Sequence, residues 1–331
     1  MKHKPIFSTL TLLFMFGSLL SGFARAPETA KIIYSSEPNV KLKSNRDIYI
    51  MNPDGTGQVK LTRHPAADSQ PAWSPTGEKI LFTSNRDGLS DLFLMNPDGT
   101  NVQQVFRKLT GRQHGTWSPD GKQIAYYRID ANDKTGIYIA AIDGTGEERI
   151  ADGWHPAWSP DGSEIAFVSL DDIGIRTINL QTRSEDIVLA MEQATAFDPA
   201  WSPDGSKIAF TRIDLLALIL GGVLKDGAKL IKGPAQTIYT VNRDGSGLAQ
   251  VVFDDAQASD ASWAPRGNKL VYERLAGKQF QLFEINVGSR VSQQLTDSDH
   301  NTDPDWFDPL ALSVTPQPQL STSVWGKIKV D

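Results

Sequence analysis

The 331-residue chain contains no cysteine. This absence excludes disulfide bonds, thiolate metal sites, a cysteine nucleophile and a lipid-modified cysteine at the N-terminus. The sequence also lacks a Gly-x-Ser-x-Gly elbow and a phosphate-binding glycine loop, which mark many hydrolases and nucleotide-binding proteins. A chain of this length can bury a stable core without disulfide bonds.

Positive charge is in deficit, because 33 Lys and Arg residues stand against 39 Asp and Glu residues for a net charge of −6. No basic run follows the first few residues. Proteins that bind nucleic acids usually concentrate Lys and Arg on one face, so we expect no nucleic-acid partner. A content of 40% hydrophobic and 22% charged residues is that of a globular protein.

A long apolar run occurs at the N-terminal end, where two lysines precede the stretch from Ile6 to Leu20. Ala24-Arg25-Ala26 then provides a small-x-small cleavage pattern, which is typical of a signal peptide. A cut after Ala26 would lie directly before Pro27, and a proline at that place hinders signal peptidases. An uncleaved anchor is therefore an alternative. We predict that residues 1–26 are a signal peptide, that the protein is periplasmic or secreted, and that no membrane span remains after removal of the signal.

A signature centred on Trp-Ser-Pro-Asp-Gly recurs along the chain. Its copies begin at Trp73, Trp117, Trp158, Trp201, Trp263 and Trp306, and the last two are degenerate. Apart from one longer step, the copies are separated by roughly 40–45 residues, which is the period of a β-propeller blade with four short strands. The repeated tryptophans are expected to pack between blades, because a catalytic residue would occur once.

Each repeat unit alternates β-branched or aromatic strands with tight turns. In Ser-Pro-Asp-Gly, proline presets φ at the second position and glycine takes the left-handed position. The segment from Lys31 to Thr62 supplies strands two, three and four of a unit, and Trp306 lies on a first strand without clear successors. We therefore predict an all-β, six-bladed β-propeller of four-stranded antiparallel blades over residues 27–310, with one blade closed by both termini and a C-terminal tail at residues 311–331.

The segments from Ser84 to Gly88 and from Asp91 to Thr100 read SNRDG and DLFLMNPDGT. Together with the tryptophan signature, they resemble the TolB-like β-propeller family of WD40-like repeats, over roughly residues 31 to 308. TolB itself carries a separate N-terminal domain before its propeller, which we expect this chain to lack. The resemblance implies a protein or peptide partner in the cell envelope.

A polar residue stands three places before each tryptophan. Alternation along a strand places it opposite the tryptophan, so this set is predicted to line the central channel or its mouth. The set comprises Gln70, His114, His155, Asp198, Asp260 and Asp303. Two interpretations stay open: the residues cap strand ends around a water-filled channel, or they bind a ligand. Asp198, Asp260 and Asp303 are candidate ligands for a hard cation such as Ca²⁺.

An insertion at residues 213–236 lengthens the blade that begins at Trp201. Its apolar start is followed by three lysines. One interpretation is a lid or a patch that docks a partner, and the other is a helix packed on its own propeller. The candidate patch comprises Leu215, Leu216, Leu218, Ile219 and Leu220.

These features lead us to expect a monomeric, exported scaffold without catalytic residues or a cofactor, which binds a protein or peptide at the channel mouth. The alternative is a metal-dependent hydrolase or lyase with Ca²⁺ in the channel. In that case the three aspartates would hold the ion, and His114 or His155 would act as the general base.

Overall fold

The computed structural model describes residues 25–38, 45–129, 135–191, 194–214, 236–253 and 257–312. The apolar run of the predicted signal peptide, the patch from Leu215 to Leu220 and the predicted tail beyond Leu312 therefore lie outside the described residues. Within the described ranges, no helix has the length and apolar character needed to cross a membrane.

Twenty-three strands, numbered along the chain, form the described structure. The terminal sheet contains β1 (Lys31–Glu37), β2 (Asp47–Met51) and β3 (Val59–Lys60), with β23 (His300–Phe307) beside β1. The next sheet contains β4 (Asp68–Trp73), β5 (Ile80–Ser84), β6 (Asp91–Met95) and β7 (Gln103–Gln104). A short 3₁₀ helix, Pro309–Ala311, follows β23.

The remaining strands form one large sheet and two small ones. The large sheet contains β8 (Arg112–Trp117), β9 (Gln123–Ile129), β10 (Thr135–Ala141), β11 (Glu148–Trp158), β12 (Glu164–Ser169), β13 (Ile175–Asn179) and β14 (Glu185–Leu189). The first small sheet contains β15 (Ala194–Trp201), β16 (Lys207–Asp214), β17 (Gln236–Asn242) and β18 (Ala249–Gln250). The second contains β19 (Ala258–Trp263), β20 (Lys269–Ala276), β21 (Gln279–Asn286) and β22 (Ser292–Gln294).

The prediction of an all-β propeller built from four-stranded antiparallel sheets is confirmed. The sequence predicts six separate sheets, whereas the described strands form four sheets of four strands and one sheet of seven. The difference arises at β11, whose 11 residues pair with β10 through their first half and with β12 through their second half. One long strand thus ends one four-stranded unit and begins the next.

The last strand, β23, lies antiparallel to β1, with Trp306 opposite Ile32. Asp305 on the same strand also bonds to first strands on both sides. One of its carboxylate oxygens accepts the backbone N–H of Trp73 at 2.7 Å, and the other accepts the hydroxyl of Ser262 at 3.0 Å. A half-buried carboxylate therefore fastens β23 to β4 and to β19.

The hydrophobic core lies between neighbouring sheets. Trp73, for example, packs with Ile33 and Ile48 of the terminal sheet and with Phe82 of its own sheet. Several tryptophans also bond across the sheets through the indole N–H. That of Trp117 donates to the carbonyl of Ala72 at 3.2 Å. The same bond recurs from Trp201 to Ala157 and from Trp263 to Ala200.

In the Ser-Pro-Asp-Gly turns, the polar groups hydrogen-bond to one another. The Ser118 hydroxyl donates to Asp120 at 2.7 Å, and the Gly121 N–H donates to the Ser118 carbonyl at 2.9 Å. Gly121 has a φ of 70°, which favours glycine. The Ser118 bond lowers the pKa of Asp120, so this carboxylate is held in the turn as an acceptor.

Candidate functional site

A channel of about 1820 Å³ lies between the six first strands β4, β8, β11, β15, β19 and β23. One end of the channel is lined by the residues that stand three places before each tryptophan. The other end is lined by the Ser-Pro-Asp-Gly turns. We call the first group the polar ring: Gln70, His114, His155, Asp198, Asp260 and Asp303.

The backbone of the polar ring is left-handed at all six positions, with φ between 48° and 54°. Each first strand also shifts its register beside this residue, as β4 does between Ser69 and Ala72. Simple alternation is therefore the wrong reason for where these side chains point, because a bulge redirects each of them. A left-handed non-glycine residue costs on the order of 1–3 kcal/mol, and such residues cluster at functional sites.

The polar ring also contributes to the scaffold. The backbone N–H of Gln70 donates to the Ser35 hydroxyl at 3.1 Å, and the Gln70 side-chain oxygen accepts the backbone N–H of His114 at 3.2 Å. The backbone N–H of Asp260 donates to the Thr211 hydroxyl at 3.0 Å. The Gln70 side chain thus hydrogen-bonds to the left-handed backbone of the ring. Such a structural role belongs to the first of the two interpretations from the sequence.

Two histidines and an aspartate form one half of the ring. His155 Nδ1 lies 2.6 Å from an Asp198 carboxylate oxygen. The His114 ring stacks on His155 with centroids 4.2 Å apart and an interplanar angle of 19°. Tyr127 and Phe197 lie against His155, with centroid distances of 5.6 and 5.8 Å. These contacts fix the orientation of both imidazoles.

The electrostatics of this half keep His114 neutral and Asp198 ionised. Burial and the neighbouring His155 lower the pKa of His114 to about 4. Burial works to raise the pKa of Asp198, but His155 outweighs it and the net shift is downward. Asp198 contacts His155 Nδ1 through a carboxylate oxygen at 2.6 Å and through its backbone N–H, which donates to Nδ1 at 3.3 Å. Nε2 is the imidazole nitrogen not used by these contacts.

The ligand atoms of His114, His155 and Asp198 lie within 4.8 Å of one another. Within the described ranges, no such group of three includes Asp260 or Asp303. The three aspartates predicted to hold Ca²⁺ therefore do not converge. The physical reason is that Asp198 is turned towards His155, with a carboxylate oxygen 2.6 Å from Nδ1.

The other half of the ring is acidic. Burial, together with the charges of Asp198 and Asp303, raises the pKa of Asp260 well above its usual range. Burial and the charge of Asp303 raise the pKa of the adjacent Glu273 to about 8. Arg46 Nη1 lies 3.7 Å from Asp303 and is the cation paired with this group. Protonation thus relieves the repulsion among these carboxyl groups.

Sequence analysis did not single out Glu273, although it breaks the repeat. Glu273 lies on β20, the second strand of its four-stranded unit, directly after three buried residues. The other second strands carry Ser35, Thr83, Tyr127, Val168 and Thr211 there. Aligning the second strands would have exposed this acid. Tyr127 and Phe197 were missed because their contacts with His155 cross from one blade to another.

Comparisons with known proteins show which propellers this chain is similar to. The family model of the TolB beta propeller domain matches residues 21–155. The crystal structure of TolB from Acinetobacter baumannii is similar with a TM-score of 0.68 and 17% identity, covering 84% of this chain and 66% of that one. The structure of putative TolB from Agrobacterium tumefaciens has a TM-score of 0.62 and 16% identity, covering 83% and 91%. At these identities the two structures show a shared fold.

One curated relative is an enzyme by name. Dipeptidyl-peptidase 5 of Porphyromonas gingivalis is 36% identical over 78 residues, which are 23% of this chain and 11% of that protein. The chain thus spans a small fraction of this relative's length.

Proposed function

We propose that the chain is an exported, non-enzymatic TolB-like β-propeller scaffold that binds a protein or peptide of the cell envelope at the polar ring. The observation that carries this proposal is the left-handed backbone at all six ring positions. It turns a polar side chain of every first strand towards one mouth. We further propose that the propeller has six blades, two of which share β11, and that it is closed through β23 and β1.

The chemistry of the mouth suits a peptide. Polar recognition requires both donors and acceptors, and the ring offers an amide, imidazoles and carboxyl groups within one opening. Tyr127 and Phe197 add aromatic surface beside the histidines. The channel of about 1820 Å³ leaves room for an extended segment of a partner to enter. We also propose that the protein acts in the periplasm or after secretion, as a monomer.

Capture of partners from envelope extract tests this function. The ring variant carries Asp198→Asn, Asp260→Asn and Asp303→Asn. The matched control carries Asp120→Asn, Asp161→Asn and Asp204→Asn at the turn end of the channel. We expect the ring variant to lose at least about tenfold in recovery of a partner, since buried polar contacts contribute about 1–3 kcal/mol each. Thermal melting verifies that both variants are folded. Equal recovery of every partner by both variants would remove the polar ring from the function.

A second candidate function is a metal-dependent hydrolase or lyase, and the cluster of His114, His155 and Asp198 favours it. Two imidazoles and one carboxylate suit a first-row transition ion better than Ca²⁺, which prefers oxygen ligands. Such an ion would polarise a carbonyl group or activate a water molecule when bound. The bond between His155 and Asp198 would orient the imidazole for its other nitrogen to serve as a ligand.

Calorimetric titration with Zn²⁺, Mn²⁺ and Ca²⁺ tests this candidate. If the cluster holds a metal, Zn²⁺ or Mn²⁺ should bind the purified protein more tightly than Ca²⁺. His114→Gln with His155→Gln should then weaken binding by at least about tenfold. His64→Gln, at an exposed loop histidine, should leave the affinity unchanged. A metal affinity that survives the double substitution would place the ion elsewhere and defeat the candidate.

A further inference from the structure

A second cavity, of about 370 Å³, lies beside the acidic half of the polar ring. Its lining includes Phe197, Phe280, Asp198, Asp303, Glu273 and Arg46. Two aromatic side chains thus face a space that is also lined by three carboxyl groups. Its volume is at the lower end of the range for pockets that hold small ligands, about 300–1,000 Å³.

Glu273 is the residue that makes this cavity different from the equivalent places in other blades. At three of the five matching positions, Ser35, Thr83 and Thr211, short hydroxyl side chains serve the polar ring. Thr83 donates to the Gln70 side chain at 2.8 Å, and Thr211 accepts the backbone N–H of Asp260. The hydrogen bonds of the polar ring do not require a carboxyl group at this position. We therefore expect Glu273 to have another hydrogen-bonding partner.

One oxygen of Glu273 has no such partner. Its Oε1 accepts the Ser259 hydroxyl at 2.5 Å, whereas Oε2 is buried and makes no hydrogen bond within the described structure. A buried carboxylate oxygen without a partner costs about 1–3 kcal/mol or more, because it has lost its water. A donor that enters the cavity would remove this cost.

The charges around the cavity favour a cation. Asp198 and Asp303 line it beside Glu273, Arg46 is the cation already paired with Asp303, and burial lowers the pKa of His300 so that its ring adds no charge at neutral pH. A second cation would therefore find more acid than base. Phe197 and Phe280, which also line the cavity, are aromatic rings of the kind that attracts ammonium and guanidinium groups.

We infer that this cavity binds the cationic end of a lysine or arginine side chain of the bound peptide. The inference rests on the proposed peptide-binding function and assigns the partner's chemistry. The aliphatic part of such a side chain packs between the aromatic walls, and its N–H groups reach Glu273 Oε2. Binding of the cation converts Glu273 from its protonated to its ionised form, so a proton leaves as the ligand enters.

This proton release gives the site a signature. Because the pKa of Glu273 is raised to about 8, affinity for the cation rises with pH between 6 and 8. The other groups that face Glu273 are Asp198, Asp303, Arg46 and Asp260, whose pKa is also raised by burial and by the neighbouring carboxylates. Asp260→Asn removes this second carboxyl group, and the slope that remains in this variant belongs to Glu273.

The test uses Nα-acetyl-lysine amide, Nα-acetyl-arginine amide and the uncharged Nα-acetyl-norleucine amide, with binding followed by ligand-observed NMR. We expect both cationic amides to bind at least about tenfold more tightly than the norleucine amide. Glu273→Gln, which keeps shape and the Ser259 bond, should lower the affinity for the cationic amides about tenfold, and in the Asp260→Asn background it should abolish the remaining pH slope. Glu284→Gln, at an acid on the neighbouring strand paired with Lys269, is the control and should behave as wild type.

The outcomes separate this inference from the function on which it rests. Equal binding of the norleucine amide, no binding of any amide at 20 mM or so, or an unchanged affinity in Glu273→Gln would overturn the cation pocket. If envelope partners are nevertheless lost by the ring variant, the proposed function stands without the pocket. If capture by wild type and ring variant is equal while the cationic amides still bind through Glu273, the pocket stands and the ring function falls.

Discussion

Replacing Arg112 with alanine is expected to lower the free energy of unfolding by about 3–5 kcal/mol. The Arg112 side chain is 4% exposed, and its Nη1 lies 2.9 Å from Asp91, whose side chain is fully buried. Burial raises the pKa of Asp91 even though Arg112 opposes that shift. Without the guanidinium, Asp91 would have to take up a proton or remain as an uncompensated buried charge, and both cost stability.

The same guanidinium joins further elements, which is why the expected loss is large. Arg112 Nε donates to Glu147 at 2.9 Å, and the Tyr126 hydroxyl donates to the same carboxylate at 2.6 Å. The guanidinium carbon lies 3.6 Å from the centre of the Phe106 ring. The substitution thus removes a cation–π contact and two ion pairs that join β8, β6 and the turn before β11.

Arg183→Ala is the matched control. Arg183 also forms an ion pair, with Glu148 at 2.8 Å, but the two side chains are 40% and 52% exposed. Exposed pairs of this kind contribute about 0–1 kcal/mol. Urea unfolding at pH 7 measures both variants. Losses of equal size would contradict the view that burial of Asp91, and not the ion pair as such, determines the effect.

Much of the fold follows from local turn chemistry. Ser-Pro-Asp-Gly requires a left-handed glycine, and Gly121 adopts it, so the repeat period could be converted directly into strands. The strand segments missing from one end and present at the other predict one blade that is closed by both termini. In the structure, β23 lies beside β1 with Trp306 opposite Ile32. The merging of two units in one sheet could not be predicted, because the length of β11 depends on the residues between two turns and not on the turns themselves.

The site was predictable in position but not in organisation. Counting three places back from each tryptophan finds the residues of the polar ring. The direction of their side chains is set by a left-handed backbone conformation, which simple strand alternation does not predict. Whether an aspartate pairs with a histidine or with another aspartate depends on its neighbour one blade away. For this reason the sequence groups Asp198 with Asp260 and Asp303, whereas the structure pairs it with His155. Long-range contacts of this kind have no local signal.

Glu273→Gln is expected to make the protein more stable at alkaline pH than wild type. Burial and Asp303 raise the pKa of Glu273 to about 8, from 4.5 in the unfolded chain. Between these two values the native state keeps the proton and the unfolded state has lost it. The stability contributed by the protonated form is therefore complete below about pH 4.5 and is lost as pH rises towards 8, by about 1.4 kcal/mol per pH unit.

Urea unfolding of wild type and Glu273→Gln at pH 5, 6, 7 and 8 measures this difference. We expect the two proteins to diverge progressively, with the variant gaining on the order of 3 kcal/mol relative to wild type by pH 8. Glu284→Gln should follow wild type, since its carboxylate pairs with Lys269. Parallel curves for wild type and Glu273→Gln would contradict the burial of an unpaired acid at this place. Progressive divergence would mean that burial beside Asp303 disfavours the ionised form of Glu273 near neutral pH. A cation that binds in the cavity would favour that form.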